Sequence, residues 1–68
     1  MNEKDRSKMH DLAIEYVEAS REKDDRKINQ IHTKALSIIA KYRPERHREI
    51  VKEFSEMISA YIVASRKI

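Results

Sequence analysis

The fold of this chain is decided by residues 50–68, which read IVKEFSEMISAYIVASRKI. Apolar side chains recur in this stretch at spacings of three and four residues, at Ile50, Phe54, Met57, Tyr61, Ala64 and Ile68. A second stripe, which includes Val51 and Ile58, shares Phe54 and Tyr61 with the first. The spacing predicts an amphipathic α-helix whose apolar face is broad enough to contact two neighbouring helices. Such a face has to be covered by the rest of the chain, by a second copy or by a partner.

Composition favours an all-helical fold. The chain has no glycine and a single proline, Pro44, whereas the tight turns of β-sheets commonly need glycine. It has no cysteine, so disulfides and thiolate metal sites cannot stabilise it. A chain of 68 residues builds a small core, and small folds commonly gain stability by association. We therefore expect one helical domain, residues 1–68, that self-associates.

Two more amphipathic segments precede the C-terminal one. The first is predicted to form a helix over about residues 5–22, with Asn2 or Asp5 as its N-cap. Residues 21–27 contain no apolar side chain, and Asp24 and Asp25 are candidate N-caps for a second helix. At 100° per residue, the apolar faces of the two segments differ in direction by roughly 80°. This difference favours a turn, although the absence of glycine and proline also permits one continuous helix.

The second helix is predicted over about residues 25–42. Its apolar residues cover almost half of its circumference, which favours a central position in the bundle. Pro44 disfavours helical geometry at Arg43 and suits the first turn of a third helix, predicted over about residues 44–66. The predicted fold is an antiparallel three-helix bundle, or a helical hairpin if the first two segments fuse. The predicted core residues are Leu12, Tyr16, Ile31, Ile38, Ile39, Phe54, Ile58 and Tyr61.

Catalysis and cofactor binding find little support in the sequence. His10, His32 and His47 fall in three different predicted helices and lack the spacing of paired metal ligands. Without glycine, a glycine-rich phosphate loop is excluded. We expect no enzymatic activity, no cofactor and no metal. The chain also lacks a long apolar run and an apolar N-terminal segment, so we expect a cytoplasmic protein that does not bind membranes.

The distribution of charge suggests one candidate binding surface. The chain carries 15 basic and 12 acidic side chains, a net charge of +3, and residues 23–43 carry six of the basic side chains and two of the acidic ones. Positive charge is concentrated where the second predicted helix meets the third. Such a cluster could bind nucleic-acid phosphates. The candidate nucleic-acid-binding residues are Lys34, Lys41, Arg43, Arg46 and Arg48.

Apolar side chains outside the main stripes suggest a second candidate surface. Ile14 and Val63 lie off the apolar faces of the two outer segments, where they could form part of a contact with another chain. The predicted protein-interface residues are Ile14, Met57, Tyr61, Val63 and Ile68. The leading hypothesis is a non-enzymatic helical regulatory or adaptor protein that binds another protein and forms a homodimer. The alternative is a nucleic-acid-binding regulatory protein that uses the basic corner.

Overall fold

A computed structural model describes residues 1–66 as three α-helices with no strand among them. Helix α1 spans Glu3–Glu22, α2 spans Asp25–Ile39 and α3 spans Pro44–Arg66. The short connections between the helices reverse the direction of the chain twice, and the helices pack against one another. The predicted all-α three-helix bundle is confirmed.

Side chains cap the N-termini of α1 and α2. The Oδ1 atom of Asn2 accepts a hydrogen bond of 2.8 Å from the backbone N–H of Asp5. The Oδ1 atom of Asp24 accepts one of 3.1 Å from the backbone N–H of Lys27. Each bond pairs an N–H group that has no partner within its helix. Because Asn2 rather than Asp5 is the cap, α1 begins two residues earlier than predicted.

Helices α1 and α2 are separate because the chain turns at Lys23. This residue has a left-handed backbone, with φ of 57° and ψ of 37°. Its N–H donates to the carbonyl of Ser20 at 3.2 Å, and the N–H of Asp24 donates to the carbonyl of Ala19 at 3.0 Å. This is the hydrogen-bond pattern of a Schellman cap, in which glycine is the usual left-handed residue. The turn excludes the continuous helix that the sequence left open.

Helix α2 ends at Ile39, so the predicted end near residue 42 is wrong. The backbone N–H groups of Lys41 and Tyr42 donate to carbonyls three residues earlier, at 3.1 and 3.0 Å, which tightens the chain into a turn. Pro44 disfavours helical geometry at the residue before it. The chain therefore leaves the helix almost one turn before the position that the apolar pattern indicated.

The central helix is α1, and the prediction that the second helix is central is wrong. Helix α1 packs against both α2 and α3, whereas α2 and α3 contact each other little. Helix α2 has therefore one main neighbour, and Leu36, which widens its apolar arc, is 63% exposed. The buried apolar residues are Met9, Leu12, Ala13, Val17, Ala19, Ile31, Ala35, Ile38, Ile39 and Ile50.

Helix α3 is less buried than its sequence suggests. Among the described residues, Ile50 is the only fully buried side chain of α3. Tyr16, Phe54, Ile58 and Tyr61, all predicted core residues, are partly buried. The apolar face of α3 is wider than the surface that α1 offers to it, so part of that face remains accessible.

Truncation of a buried and of an exposed side chain on α2 tests this packing. Ile31 is 2% exposed, and Ile31→Ala is expected to lower the free energy of unfolding by about 2–5 kcal/mol because it leaves a cavity. Leu36→Ala, the matched control, should change it by less than about 0.5 kcal/mol. Urea denaturation followed by circular dichroism measures both. Equal losses would contradict the assignment of Leu36 to the surface.

Candidate interaction cleft between α2 and α3

One end of the bundle is held closed by Asp5. This residue is 5% exposed although it carries a carboxylate. The hydroxyl of Tyr42 donates a hydrogen bond to Asp5 Oδ2 and accepts one from the backbone N–H of Asn2 at 3.2 Å. Lys41 Nζ lies 3.7 Å from Asp5 Oδ1. The carboxylate therefore joins the first turn of α1 to the segment that connects α2 and α3.

The same hydrogen bond shifts the pKa values of both partners in opposite directions. The hydroxyl of Tyr42 lowers the pKa of Asp5, the charges of Lys41 and Lys8 lower it further, and burial opposes them. The bond to Asp5 raises the pKa of Tyr42, because an ionised phenol could not donate to the carboxylate. The bond therefore stabilises the fold when Asp5 is ionised and Tyr42 is protonated.

His47 adds a contact at this closed end. Its Nε2 atom donates to the backbone carbonyl of Tyr42 at 2.8 Å. His47 is near the start of α3, so this bond fixes the start of α3 against the segment that connects it to α2. The residue is partly buried. Its contact is therefore a structural one between a side chain and the connecting backbone.

Away from this end, α2 and α3 contact each other little, and the cleft that this leaves between them is bordered by Tyr16 of α1. The ring of Tyr16 stacks on that of His32 of α2, with 5.5 Å between ring centroids and 21° between ring planes. Tyr16 also lines an open groove of about 340 Å³ together with Ile58 and Ile62 of α3. One aromatic side chain thus contacts α2 on one side and borders α3 on the other.

Helical spacing places two exposed apolar residues on the walls of the cleft. Leu36 follows His32 by one turn, and Val51 precedes Ile58 by two turns, so each shares a flank with a residue that borders Tyr16. Leu36 is 63% exposed and Val51 is 49% exposed. We define the α2–α3 cleft by six residues, Tyr16, His32, Leu36, Val51, Ile58 and Ile62.

The opposite flank of α2 borders a different groove. Lys34, Ser37 and Lys41 line an open groove of about 410 Å³ against Lys8 and Asp11 of α1. Five of the eight side chains that line this groove are charged. The other flank of α2, which carries His32 and Leu36, is the one beside Tyr16.

Three of the predicted protein-interface residues, Ile14, Met57 and Tyr61, lie along one side of the contact between α1 and α3. Met57 packs against the core and lines a groove with the start of α1. Ile14 is partly buried, and the hydroxyl of Tyr61 donates to Glu18 Oε1 at 3.4 Å. Val63 is 53% exposed on another part of α3, and Ile68 lies outside the described residues. Their role in an interface stays a prediction.

Sequence reasoning missed Leu36 and Val51 as surface residues. Both belong to apolar arcs that looked like core, on α2 and on the second stripe of α3. The signal that could have found them was the width of these arcs. An arc wider than one neighbouring helix can cover has to leave residues at its edge exposed unless a third helix approaches.

The predicted nucleic-acid-binding residues are only partly grouped. Lys41, Arg43 and Arg46 line one open groove of about 380 Å³, which also contains Glu45. Lys34 lies on the charged flank of α2, and Arg48 is exposed on α3. Because Lys41 is also near the carboxylate of Asp5, the positive charge at this corner is partly compensated.

The described part of the chain lacks the features of a metal site and of a membrane span. Within residues 1–66 no group of three or more His, Cys, Asp or Glu side chains could hold a metal ion. No helix in that part of the chain has both the length and the hydrophobicity needed to cross a membrane. No protein-family model, curated protein or solved structure matches the chain.

Removal of the Tyr42 hydroxyl tests the closed end. The lowered pKa of Asp5 contributes stability that is present above the ordinary carboxyl pKa and is lost as pH falls through the lowered value. The raised pKa of Tyr42 contributes stability that is present below the ordinary phenol pKa and is lost as pH rises through the raised value. Tyr42→Phe should lower the thermal midpoint at neutral pH and flatten both limbs of its pH profile.

The matched control is Tyr61→Phe, which removes a hydroxyl from a longer and exposed contact with Glu18. Thermal unfolding of both variants and the parent, followed by circular dichroism from acid to alkaline pH, makes the comparison. An unchanged acid limb in Tyr42→Phe would show that its hydroxyl does not determine the ionisation of Asp5.

Proposed function

We propose that the protein is a non-enzymatic helical module that regulates or connects other proteins by binding a partner's helix in the α2–α3 cleft. The observation that carries this proposal is the exposure of Leu36 and Val51 on the walls of an otherwise apolar cleft. Isolated exposed apolar residues are common on protein surfaces. Here they are continuous with partly buried apolar residues of the same cleft, which is typical of contact sites.

The chain exposes more surface than a compact monomer of its mass, and the excess is of the order that one partner contributes to a protein–protein interface. The accessible area is 5334 Å², whereas a compact monomer of this mass is expected to expose about 4,500 Å². The excess is several hundred Å². Each partner in a protein–protein interface of standard size contributes about 800 Å². A helix bound in the cleft would cover an area of this order.

The cleft geometry also fits a helix as the bound element. Helices α2 and α3 form two walls and α1 forms the floor, so a fourth helix would lie against three existing ones. Four-helix packing of this kind is a common way to complete a small helical core. Amphipathic helices commonly bind hydrophobic grooves through residues at i, i+3, i+4 and i+7.

Substitutions in the cleft test the proposal. The double variant Leu36→Ser, Val51→Ser should keep the helical spectrum of the parent, since both side chains are largely exposed. It should lose the proteins that the parent captures from a lysate of its native host. Ala60→Ser is the control, because it makes a polar change at an exposed residue on the side of α3 opposite Val51. Equal capture by the double variant and the parent would remove the cleft from the proposal.

The homodimer predicted from the sequence has a separate test. Sedimentation over a wide range of protein concentration measures the oligomeric state of the parent and of the double variant. A dimer that dissociates in Leu36→Ser, Val51→Ser would make the second copy the occupant of the cleft. A parent that stays monomeric at every concentration would contradict the homodimer and leave a different protein as the partner.

Nucleic-acid binding is the second candidate, because Lys41, Arg43 and Arg46 line one groove. If this candidate is correct, affinity for duplex DNA or RNA should fall steeply as salt rises, since binding releases condensed counterions. Arg43→Ala with Arg46→Ala should weaken binding without changing the fold. Fluorescence anisotropy over a series of salt concentrations measures both effects, and unchanged affinity in the variant would contradict this function.

A further inference from the structure

We infer that the helix bound by the α2–α3 cleft is acidic and amphipathic, with a length of about three to four turns. This inference rests on the proposed function and adds the chemistry of the partner. It follows from the length of the cleft walls and from the sign of the charges beside them. The two arguments are independent, since one concerns the apolar residues and the other the charged ones.

The walls set the length of the bound helix. On α3 the apolar row begins at Val51 and ends at Ile62, an axial distance of about 16 Å in an α-helix. On α2 the wall is shorter, because its two cleft residues, His32 and Leu36, lie one turn apart. A partner that covers both walls needs roughly three turns and an apolar stripe along one face.

Basic side chains flank the apolar row of α3. Continued at the same spacing of three and four residues, the row begins with Arg48 and ends with Arg66. Arg66 lines the groove beside Ile58 and Ile62, and Arg21 of α1 lines the same groove. A helix bound in the cleft would therefore have guanidinium groups beside it towards both ends.

The acidic residues of α3 occupy the other flank of that helix. Glu53 of this set lies 3.3 Å from Arg6 of α1, on the side that borders the first turns of α1. The row that contains Val51 and Ile62 carries no carboxylate. The acidic set consists of Glu45, Glu49, Glu53 and Glu56. The charges of α3 are therefore segregated, and the basic side is the one beside the cleft.

Helix α2 adds one acidic group near the cleft. Asp25 lies in the first turn of α2 and precedes His32 by two turns, so it shares the cleft flank of α2. On α1, Glu18 lies one turn before Arg21. Three arginines, Arg21, Arg48 and Arg66, outnumber these two carboxylates. The charge beside the cleft is thus positive, and a partner helix with carboxylates next to its apolar stripe complements it. Exposed charge pairs of this kind contribute mainly to the association rate and to orientation.

Three peptides of about 14 residues, which is roughly four turns, test this inference. All share one apolar stripe, and the flanking positions carry Glu, Gln or Lys. Fluorescence anisotropy measures their binding to the full chain at low and physiological salt. The Glu peptide should bind on the order of tenfold more tightly than the Lys peptide, with a difference that shrinks as salt rises. Equal or tighter binding of the Lys peptide would overturn the inference.

Charge-removing variants locate the effect. Arg21→Gln with Arg66→Gln should weaken binding of the Glu peptide on the order of fivefold and leave the Gln peptide unchanged. Lys4→Gln with Arg26→Gln is the matched control, because it removes two charges from exposed sites away from the cleft. If both pairs weaken the Glu peptide equally, net charge rather than the cleft recognises it, and the inference fails. Circular dichroism verifies that every variant remains helical.

The outcomes separate the inference from the proposed function. Loss of all three peptides in Leu36→Ser, Val51→Ser, without the charge preference, would support the cleft and overturn the acidic partner. If no peptide binds the parent, the inference is overturned, and the capture experiment decides the proposed function on its own. Displacement of the Glu peptide by duplex DNA at a much lower concentration than by an unlabelled copy of itself would reassign the basic groups to nucleic acid and overturn the inference.

Discussion

The rest of the structure depends on one constraint, which is that α1 alone provides the surface against which two other helices pack. Met9 and Ala19 are fully buried in it, and Ala13 is almost so. Small side chains permit close approach of a neighbouring helix, and the flexible methionine fills the space between helices. Because α1 makes both contacts, α2 and α3 do not have to meet, and along most of their length they do not.

The closed and open ends of the bundle follow from different kinds of contact. At the closed end, Asp5 and Tyr42 form a hydrogen bond that depends on direction and protonation, and His47 fixes the start of α3. At the other end, Tyr16 and His32 stack between α1 and α2, and the hydroxyl of Tyr61 donates to Glu18 between α3 and α1. Neither contact joins α2 to α3, so apolar side chains beside the space between these two helices remain accessible.

Charge gives the two sides of α3 different roles. Its acidic side is mostly exposed and reaches α1 at Glu53, which pairs with Arg6, and the other side carries arginines beside the cleft. Nearby carboxylates make the corner between α2 and α3 less positive than its basic residues alone would, which disfavours it as a nucleic-acid-binding surface. There Lys41 is close to Asp5, and Glu45 shares the groove with Arg43 and Arg46.

Local features of the sequence were enough to predict the elements. Asn2 and Asp24 can cap helices through their own side chains, and Pro44 acts on the residue before it, so these effects need no distant contact. The early end of α2 was not predicted, because the apolar pattern continues to Tyr42 although the helical backbone ends at Ile39. The left-handed backbone of Lys23 was not predicted either, since lysine has no preference for the left-handed conformation.

The amino-acid sequence by itself determined that the chain forms three amphipathic helices and roughly where each begins, because periodicity and capping are local properties. The tertiary structure decided which helix lies in the centre, which apolar residues are covered and where the cleft opens. Apolar periodicity identifies the face of a helix that avoids water, but it does not specify the neighbour that covers it. That choice depends on side-chain size and on the angles between helices, as the burial of Ile31 and the exposure of Leu36 on the same helix show.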